Sequence, residues 1–269
     1  MNAAKDCTLQ EKLLRCAMAL ILAAGALLAS VAASPAYAAP STVDVSIGGK
    51  IPYGGFATTW MSADGNIAYC AEPSSPTPAP GSYSTSPVPS GDVTAAIWYS
   101  FGSPGFDASM FPGSWYDGGG WDDAKYAAAS HVLIAYAYSG SESAATHGTS
   151  AEFASWAKSE LIGGTFAKMK AGAGKVSAGF EAFCVRTGGG SQTLVSFSWS
   201  TGGVKVAKTD SEAGAEPQGD ASLDGASFSV VNETGRYVLV GGKYYADGEV
   251  CATIKTCLLY TSDAADELD

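Results

Sequence analysis

The chain has 269 residues, 46% of them apolar and 11% aromatic, enough to build a core and too many for a disordered chain. Charged residues reach only 15%, which excludes a coiled coil or long-helix protein. With 26 acidic against 15 basic residues the net charge is −11, which argues against nucleic acid and anionic lipid, since both require cationic patches.

Residues 1–38 read as a secretory signal peptide. Lys5, Lys12 and Arg15 give a basic start, residues 17–33 are apolar and small, and Ala36-Tyr37-Ala38 supplies a pattern that a signal peptidase accepts. The run is short and Ala-rich for a transmembrane anchor, and no second apolar segment follows. The expectation is an exported chain beginning at Ala39-Pro40, with no membrane insertion of its mature part.

Val43, Val45 and Ile47 alternate in strand fashion, and two further β-prone runs, 56–62 and 66–70, flank Ala63-Asp64-Gly65. Asp-Gly between such runs is a hairpin signal, so Cys70 is expected to end a strand. Residues 73–90 are dense in Pro, Ser and Thr and read as a covering loop or flap rather than sheet, because proline cannot donate a ladder hydrogen bond. Residues 93–101 fit a helix or a buried strand equally, and 102–121 are Gly- and aromatic-rich turns. A helix is expected from Asp122-Asp123, whose carboxylates suit its positive end, to Ser139, with Gly140 as the cap. A second helix is expected to start at Thr149, with Glu152 completing a capping box, and to end at Gly163-Gly164. Strands resume at 182–186 and 193–199 around the turn Gly188-Gly189-Gly190. The fold class is therefore α+β: strands, a helical insert, then strands again. After Thr201-Gly202-Gly203 the texture changes to an alternating, all-β pattern, which marks a second module over 202–256.

Few residues carry obvious chemistry. His131 and His147 are the only histidines, and neither belongs to a metal-binding spacing; no P-loop or G-x-S-x-G elbow is present. No metal or cofactor is expected. Asn232-Glu233-Thr234 satisfies a glycosylation triplet, a pattern that also arises by chance. Cys70 is the residue with most potential, because a thiolate can attack a side-chain carboxamide held against it. The product is an internal thioester, an electrophile that waits for an amine. Such chemistry needs a Cys, a Gln distant in sequence, and a neighbour that handles protons.

The residues resemble the thioester domains of Gram-positive surface adhesins. Tyr69-Cys70-Ala71-Glu72 matches the family's aromatic-Cys-apolar-polar motif, and Ser191-Gln192-Thr193-Leu194-Val195 its later Gln motif, apart from Ser191, which is not apolar. The middle Thr-Gln motif falls at Ser130-His131, where both residues differ from the family's. The resemblance covers about 43–200, within a domain placed at 39–201. It implies a Cys70–Gln192 thioester, supported by Tyr69, Ser130 and His131, with His131 still able to donate a hydrogen bond and shuttle a proton. It also implies a single-turnover adhesin, not a turnover enzyme. The partner would be a host or matrix protein presenting a lysine, and attachment would be to peptidoglycan of a Gram-positive wall. Two rivals remain: the same fold as a non-covalent binding or spacer domain, and a Cys/His hydrolase or transferase using Cys70 and His131.

The 202–256 module resembles the start of a B-type, prealbumin-like sandwich repeat of the same adhesins, on 205–210 and 223–228. That resemblance implies Lys205 or Lys208 as the amine of an isopeptide bond. Residues 257–269, beginning Cys257-Leu258-Leu259-Tyr260-Thr261-Ser262, resemble the translation of a sequencing adapter, which implies that the natural sequence departs near Thr256. With both ends set aside the chain stays acidic, and Cys70, Cys184 and Cys251 remain. A Cys184–Cys251 disulfide is one expectation for the two outside the thioester motif.

Overall fold

The computed structural model describes residues 39–200 and 227–255. Residues 1–38, where a signal peptide is expected, Lys205, Lys208, and residues 257–269, expected to derive from an adapter, lie outside the described residues. Two compact units divide the described residues: 39–200 with 232–249 form one, and 227–231 with 250–255 belong to the other.

In the larger unit, strands β1 (Thr42–Tyr53), β2 (Phe56–Ala63), β3 (Asn66–Cys70), β4 (Gly81–Pro87), β5 (Phe180–Arg186) and β6 (Leu194–Trp199) close a barrel in the order β1-β2-β3-β6-β5-β4. Every pairing is antiparallel. The register of β1 on β2 slips between Ile47 and Lys50, at Gly48-Gly49, a bulge of the kind that bends a strand around a barrel. Asp64 (φ 48°) and Gly65 (φ 80°) make the β2–β3 turn, as their sequence demands, and Cys70 ends β3.

The flap reading of 73–90 holds only for its first part, because β4 lies within it and closes the barrel between β1 and β5. Pro73, Pro76, Pro78 and Pro80 precede the strand and Pro87 ends it, so every residue from Gly81 to Ser86 keeps its amide donor.

The helices are inserted between β4 and β5. They are α1 (Gly91–Tyr99), α2 (Asp123–Ser139), α3 (Glu142–Ala145), α4 (Ala151–Trp156), a π-wound continuation (Ala157–Phe166) and α5 (Ala167–Ala171). The ambiguous 93–101 run is thus a helix. Helix α2 has both expected caps: the Asp122 side chain accepts from the Lys125 amide at 2.9 Å, and Gly140 is left-handed at φ 69°. Residues Ala127–Ala135 are all buried, so this helix is a central column and not an amphipathic one. Alanines and Ser130 keep its girth small enough for strands and helices to pack on every side.

Two expectations for the next helix fail. Its cap is Ser150, whose Oγ accepts from the Phe153 amide at 3.2 Å, because the Thr149 hydroxyl already donates to the Thr146 carbonyl at 2.7 Å. Gly163-Gly164 does not end the helix either. Neither glycine takes a positive φ, and the winding loosens to the π form and carries on to Ala171.

Gly54 is one position where glycine is required. At φ +54° its carbonyl accepts from the Ser150 amide at 2.6 Å, and an added Cβ would come within 2.5 Å of the Phe153 ring. Gly54→Ala combines left-handed strain with a steric clash, and the expected loss is about 2–4 kcal/mol of unfolding free energy. Urea denaturation of the two chains measures it; a loss below about 0.5 kcal/mol would mean that the β1–β2 corner is not held as described.

The β-rich remainder comprises β7 (Ser227–Val231), β8 (Val238–Val240), β9 (Lys243–Tyr245) and β10 (Val250–Lys255). The β7–β10 antiparallel pair belongs to the smaller unit. The β8–β9 hairpin, within the span assigned to the second module, packs in the larger unit. There the Ala178 amide donates to the Tyr237 carbonyl at 2.8 Å, the Leu239 amide to Ser177 Oγ at 3.1 Å, and Trp98 Nε1 to the Tyr244 hydroxyl at 3.1 Å. Asn232 is buried, and its Nδ2 donates to the Arg236 and Tyr245 carbonyls at 2.7 and 3.1 Å, so the amide of the glycosylation triplet is used internally. Cys184 is a buried thiol on β5 of the larger unit, whereas Cys251, its expected disulfide partner, belongs to β10 of the smaller unit.

Candidate functional site

Antiparallel pairing brings the two motifs together. On the β3–β6 ladder Tyr69 faces Val195 and Cys70 faces Leu194, and the Ala71 amide donates to the Thr193 carbonyl at 2.9 Å, carrying the ladder past the strand ends. Gln192 therefore lies beside Cys70, although 122 positions separate them. Its backbone is held on several sides: its amide donates to the Pro76 carbonyl at 3.0 Å, and its carbonyl accepts from Thr187 Oγ1 at 2.8 Å. The next amide, of Thr193, donates to a Glu72 carboxylate oxygen at 2.8 Å. Gly188, Gly189 and Gly190 all take positive φ and turn the chain into this position.

The Cys70 thiol donates to the Gln192 side-chain carbonyl oxygen. Cys70 is 3% exposed and Gln192 4%, so the pair is withdrawn from bulk water. Gln192 Nε2 points towards Met61 Sδ at 3.9 Å. A cavity of about 180 Å³ opens over the pair, with Tyr53 and Phe56 of the β1–β2 corner and Thr58 of β2 on one side and Ser75, Pro76 and Thr77 on the other. The first part of the proline-rich segment is thus a cover for this cavity, as its composition led one to expect.

His131 reaches the site from the middle of α2. Its Nδ1 accepts from the Cys70 amide at 3.1 Å, which assigns the ring proton to Nε2, and Thr58 Oγ1 lies 3.1 Å from Nε2. Burial, opposed only by a backbone hydrogen bond to Thr59, pushes its pKa down to about 3. The imidazole is neutral and its basic nitrogen is already engaged. Where the resemblance allows a proton shuttle, the geometry gives a group that fixes the end of β3.

Tyr69 and Ser130 stand one step behind. The Tyr69 ring meets the His131 ring edge-on at 4.9 Å, and its hydroxyl donates to the Phe101 carbonyl. Ser130 Oγ accepts from the Phe101 amide at 3.1 Å. Neither lines the cavity; together they brace the ring of His131 and the chain following α1.

Burial pushes the Cys70 thiol up to about 12, against the pull of a hydrogen bond from the Glu72 amide, with the Glu72 carboxylate adding to the rise. A free thiolate is therefore disfavoured here. Tyr53 is raised as well, chiefly by burial and secondarily by charge on Cys70, which marks its hydroxyl as a neighbour of the sulfur. Sequence reasoning did not single out Tyr53, Thr58 or Pro76. Proline density was the one signal for Pro76; Tyr53 and Thr58 gain their places through barrel closure.

Among the described residues, no group of three His, Cys, Asp or Glu side chains is placed to hold a metal ion, and no helix is long and apolar enough to cross a membrane. A family model described as a thioester domain matches residues 42–164, a span that contains Cys70, Ser130 and His131 and stops before Gln192. No curated protein and no solved structure matches the chain. The match makes this part of the chain similar to thioester domains, and it supports a thioester-based adhesin.

Proposed function

We propose that the chain is a secreted surface adhesin of a Gram-positive bacterium whose Cys70 and Gln192 side chains condense into an internal thioester, which a lysine of a target protein then opens. The observation that carries this reading is the buried thiol of Cys70 donating to the carboxamide of Gln192. Sγ adds to the carboxamide carbon, one bond from the oxygen it already touches. The C–N bond breaks, and the departing nitrogen takes the thiol proton and leaves as ammonia. Holding the two groups in contact supplies about 7–11 kcal/mol of effective concentration, which removes the need for a stable thiolate. The target amine next forms an amide with the Gln192 acyl carbon and the C–S bond breaks, regenerating the Cys70 thiol. Gln192 is consumed, so each molecule reacts once, and the chain is a covalent binder and not an enzyme.

The burial of the site supports this reading over a Cys/His hydrolase. A hydrolase needs His131 free to accept a proton, and its Nδ1 is taken by the Cys70 amide. We further propose that 202–256 begins a B-type stalk repeat, with Lys205 or Lys208 as an isopeptide amine, and that the protein is attached to the peptidoglycan of the wall.

Intact-mass measurement tests the thioester. The folded wild-type chain is expected to be lighter than its sequence mass by one ammonia. Cys70→Ala is expected to show its full sequence mass and to form no adduct with methylamine. A wild-type chain at its full sequence mass would leave only non-covalent binding.

A further inference from the structure

We propose that Met61 favours the condensation by offering the Gln192 carboxamide nitrogen only a weak hydrogen-bond acceptor, so that the folded site holds the unreacted amide at raised free energy relative to the thioester that replaces it. The proposal rests on the thioester reading and adds a residue outside the three motifs that sets the balance between the two states.

Met61 lies on β2 opposite Ala68 of β3, and Cys70 is the next residue on that face of β3. Its side chain packs with Val45, Ala63, Ala68, Val185 and Leu194 in one apolar cluster that also takes in Cys70. The Gln192 carboxamide stands between two unlike sulfurs. Its Oε1 accepts from the Cys70 thiol, and its Nε2 is aimed at Met61 Sδ, 3.9 Å away. Among the described residues that thioether is the one hydrogen-bond partner of Nε2. Nε2 carries two N–H donors, and a thioether is a weak acceptor. Gln192 is buried, so bulk water does not make up the deficit. The reversed amide would set the lone pairs of Oε1 against those of Sδ and the N–H groups against the thiol proton, so the two sulfurs fix its orientation.

An amide is ordinarily the more stable acyl compound, so a thioester made from one needs help from its surroundings. A buried donor left poorly satisfied shifts an equilibrium against the state that contains it by about 5- to 100-fold. Here that state is the carboxamide. The Sγ–C bond forms, the C–N bond breaks, and nitrogen leaves as ammonia with its own two hydrogens and the one from the thiol. The donors that Met61 serves badly thus depart with the leaving group, and the thioester brings no donor to replace them. A stronger acceptor at position 61 would stabilise the carboxamide and hold the reaction back.

The test is the equilibrium of the ammonia-depleted chain with ammonia itself. Chains are incubated in rising ammonium chloride at fixed pH, and intact mass gives the fraction that has regained one ammonia; loaded chains returned to ammonia-free buffer approach the same point from the other side. Met61→Gln places an amide oxygen near the position of Sδ, and its half-reversion is expected at an ammonium concentration at least about 5-fold below that of the wild type. Met61→Leu conserves volume and removes the weak acceptor, and its midpoint is expected to rise about twofold or more. Shifts of opposite sign separate an acceptor effect from loosened packing, which would lower both midpoints. An unshifted or raised midpoint in Met61→Gln, or one at or below the wild type in Met61→Leu, overturns the proposal and leaves the thioester intact. Should Met61→Gln not fold, Met61→Leu decides alone. A wild-type chain that never loses ammonia overturns the thioester reading and this proposal with it.

Discussion

Lowering the pH from 6.5 to 4.5 is expected to remove about 2 kcal/mol of folding stability through His131 alone, and continuing to pH 3 about 4 kcal/mol. Burial depresses the pKa of this imidazole to about 3 in the folded chain, whereas an unfolded chain protonates it near 6.5. Below 6.5 the unfolded state thus binds a proton that the folded state refuses, and stability falls by about 1.4 kcal/mol per pH unit until the folded pKa is reached. The contribution is complete from about one pH unit above 6.5. His131→Gln supplies the control, since its side-chain carbonyl can accept from the Cys70 amide without titrating. Urea midpoints for both chains at pH 7, 6, 5 and 4.5 decide the matter, a window above most of the carboxylate titration. The wild-type curve should fall below that of His131→Gln as acid is added. Parallel curves would mean that His131 is hydrated in the folded chain and that the site is open to water, which would also undercut the protection of a thioester.

The parts of this fold that were legible in the sequence are those fixed by neighbours in the chain. Asp64-Gly65 specifies its turn, Asp122 and Gly140 bracket α2, and the alternation after Asn66 places Cys70 at a strand end. The parts that were not legible depend on distant partners. β4 is hidden among prolines, because their density over 73–90 masks a short run that keeps all its amides. Gly163-Gly164 reads as a stop, yet the buried side chains of Leu161, Ile162 and Phe166 hold the helix through it in a looser winding. Alternation shows which residues share a face of a strand but not which strands are neighbours, so barrel closure was beyond reach. The same limit applies to the site. Cys70, Gln192 and His131 came from short motifs and a resemblance, whereas Tyr53 and Thr58 carry no motif and acquire their positions when β1 and β2 wrap round. The role of His131 changed for a related reason. Histidine in a sequence reads as a proton carrier, and only the aim of the Cys70 amide and complete burial make it a neutral acceptor.

The other large effect expected lies in the packing beneath α1. Trp98→Ala should cost about 3–5 kcal/mol of unfolding free energy for the lost ring and its cavity, with about 1 kcal/mol more for the hydrogen bond to Tyr244. Trp98 is fully buried, and its indole meets Phe180 of β5 at 4.8 Å, Trp199 of β6 at 6.3 Å and Tyr244 of β9 at 6.4 Å, each edge-on. One side chain thus ties the helical insert to the barrel and to a hairpin that follows β6 by about forty residues in the chain. Gly105 fits against the indole so closely that a Cβ there would lie 2.2 Å from it, and the space is shaped for this ring. Trp98→Phe keeps most of the apolar contact and removes the Nε1–H donor, so it should cost about 1–2 kcal/mol and separate the two terms. Urea denaturation gives the totals, and limited proteolysis gives the location. The β8–β9 hairpin should become the first segment cut in Trp98→Ala, while the wild-type chain resists cleavage there. If Trp98→Ala costs under about 1 kcal/mol, or leaves the hairpin as resistant as before, then residues 232–249 are not anchored through this indole. The hairpin would then be held by the Ala178–Tyr237 and Leu239–Ser177 hydrogen bonds instead.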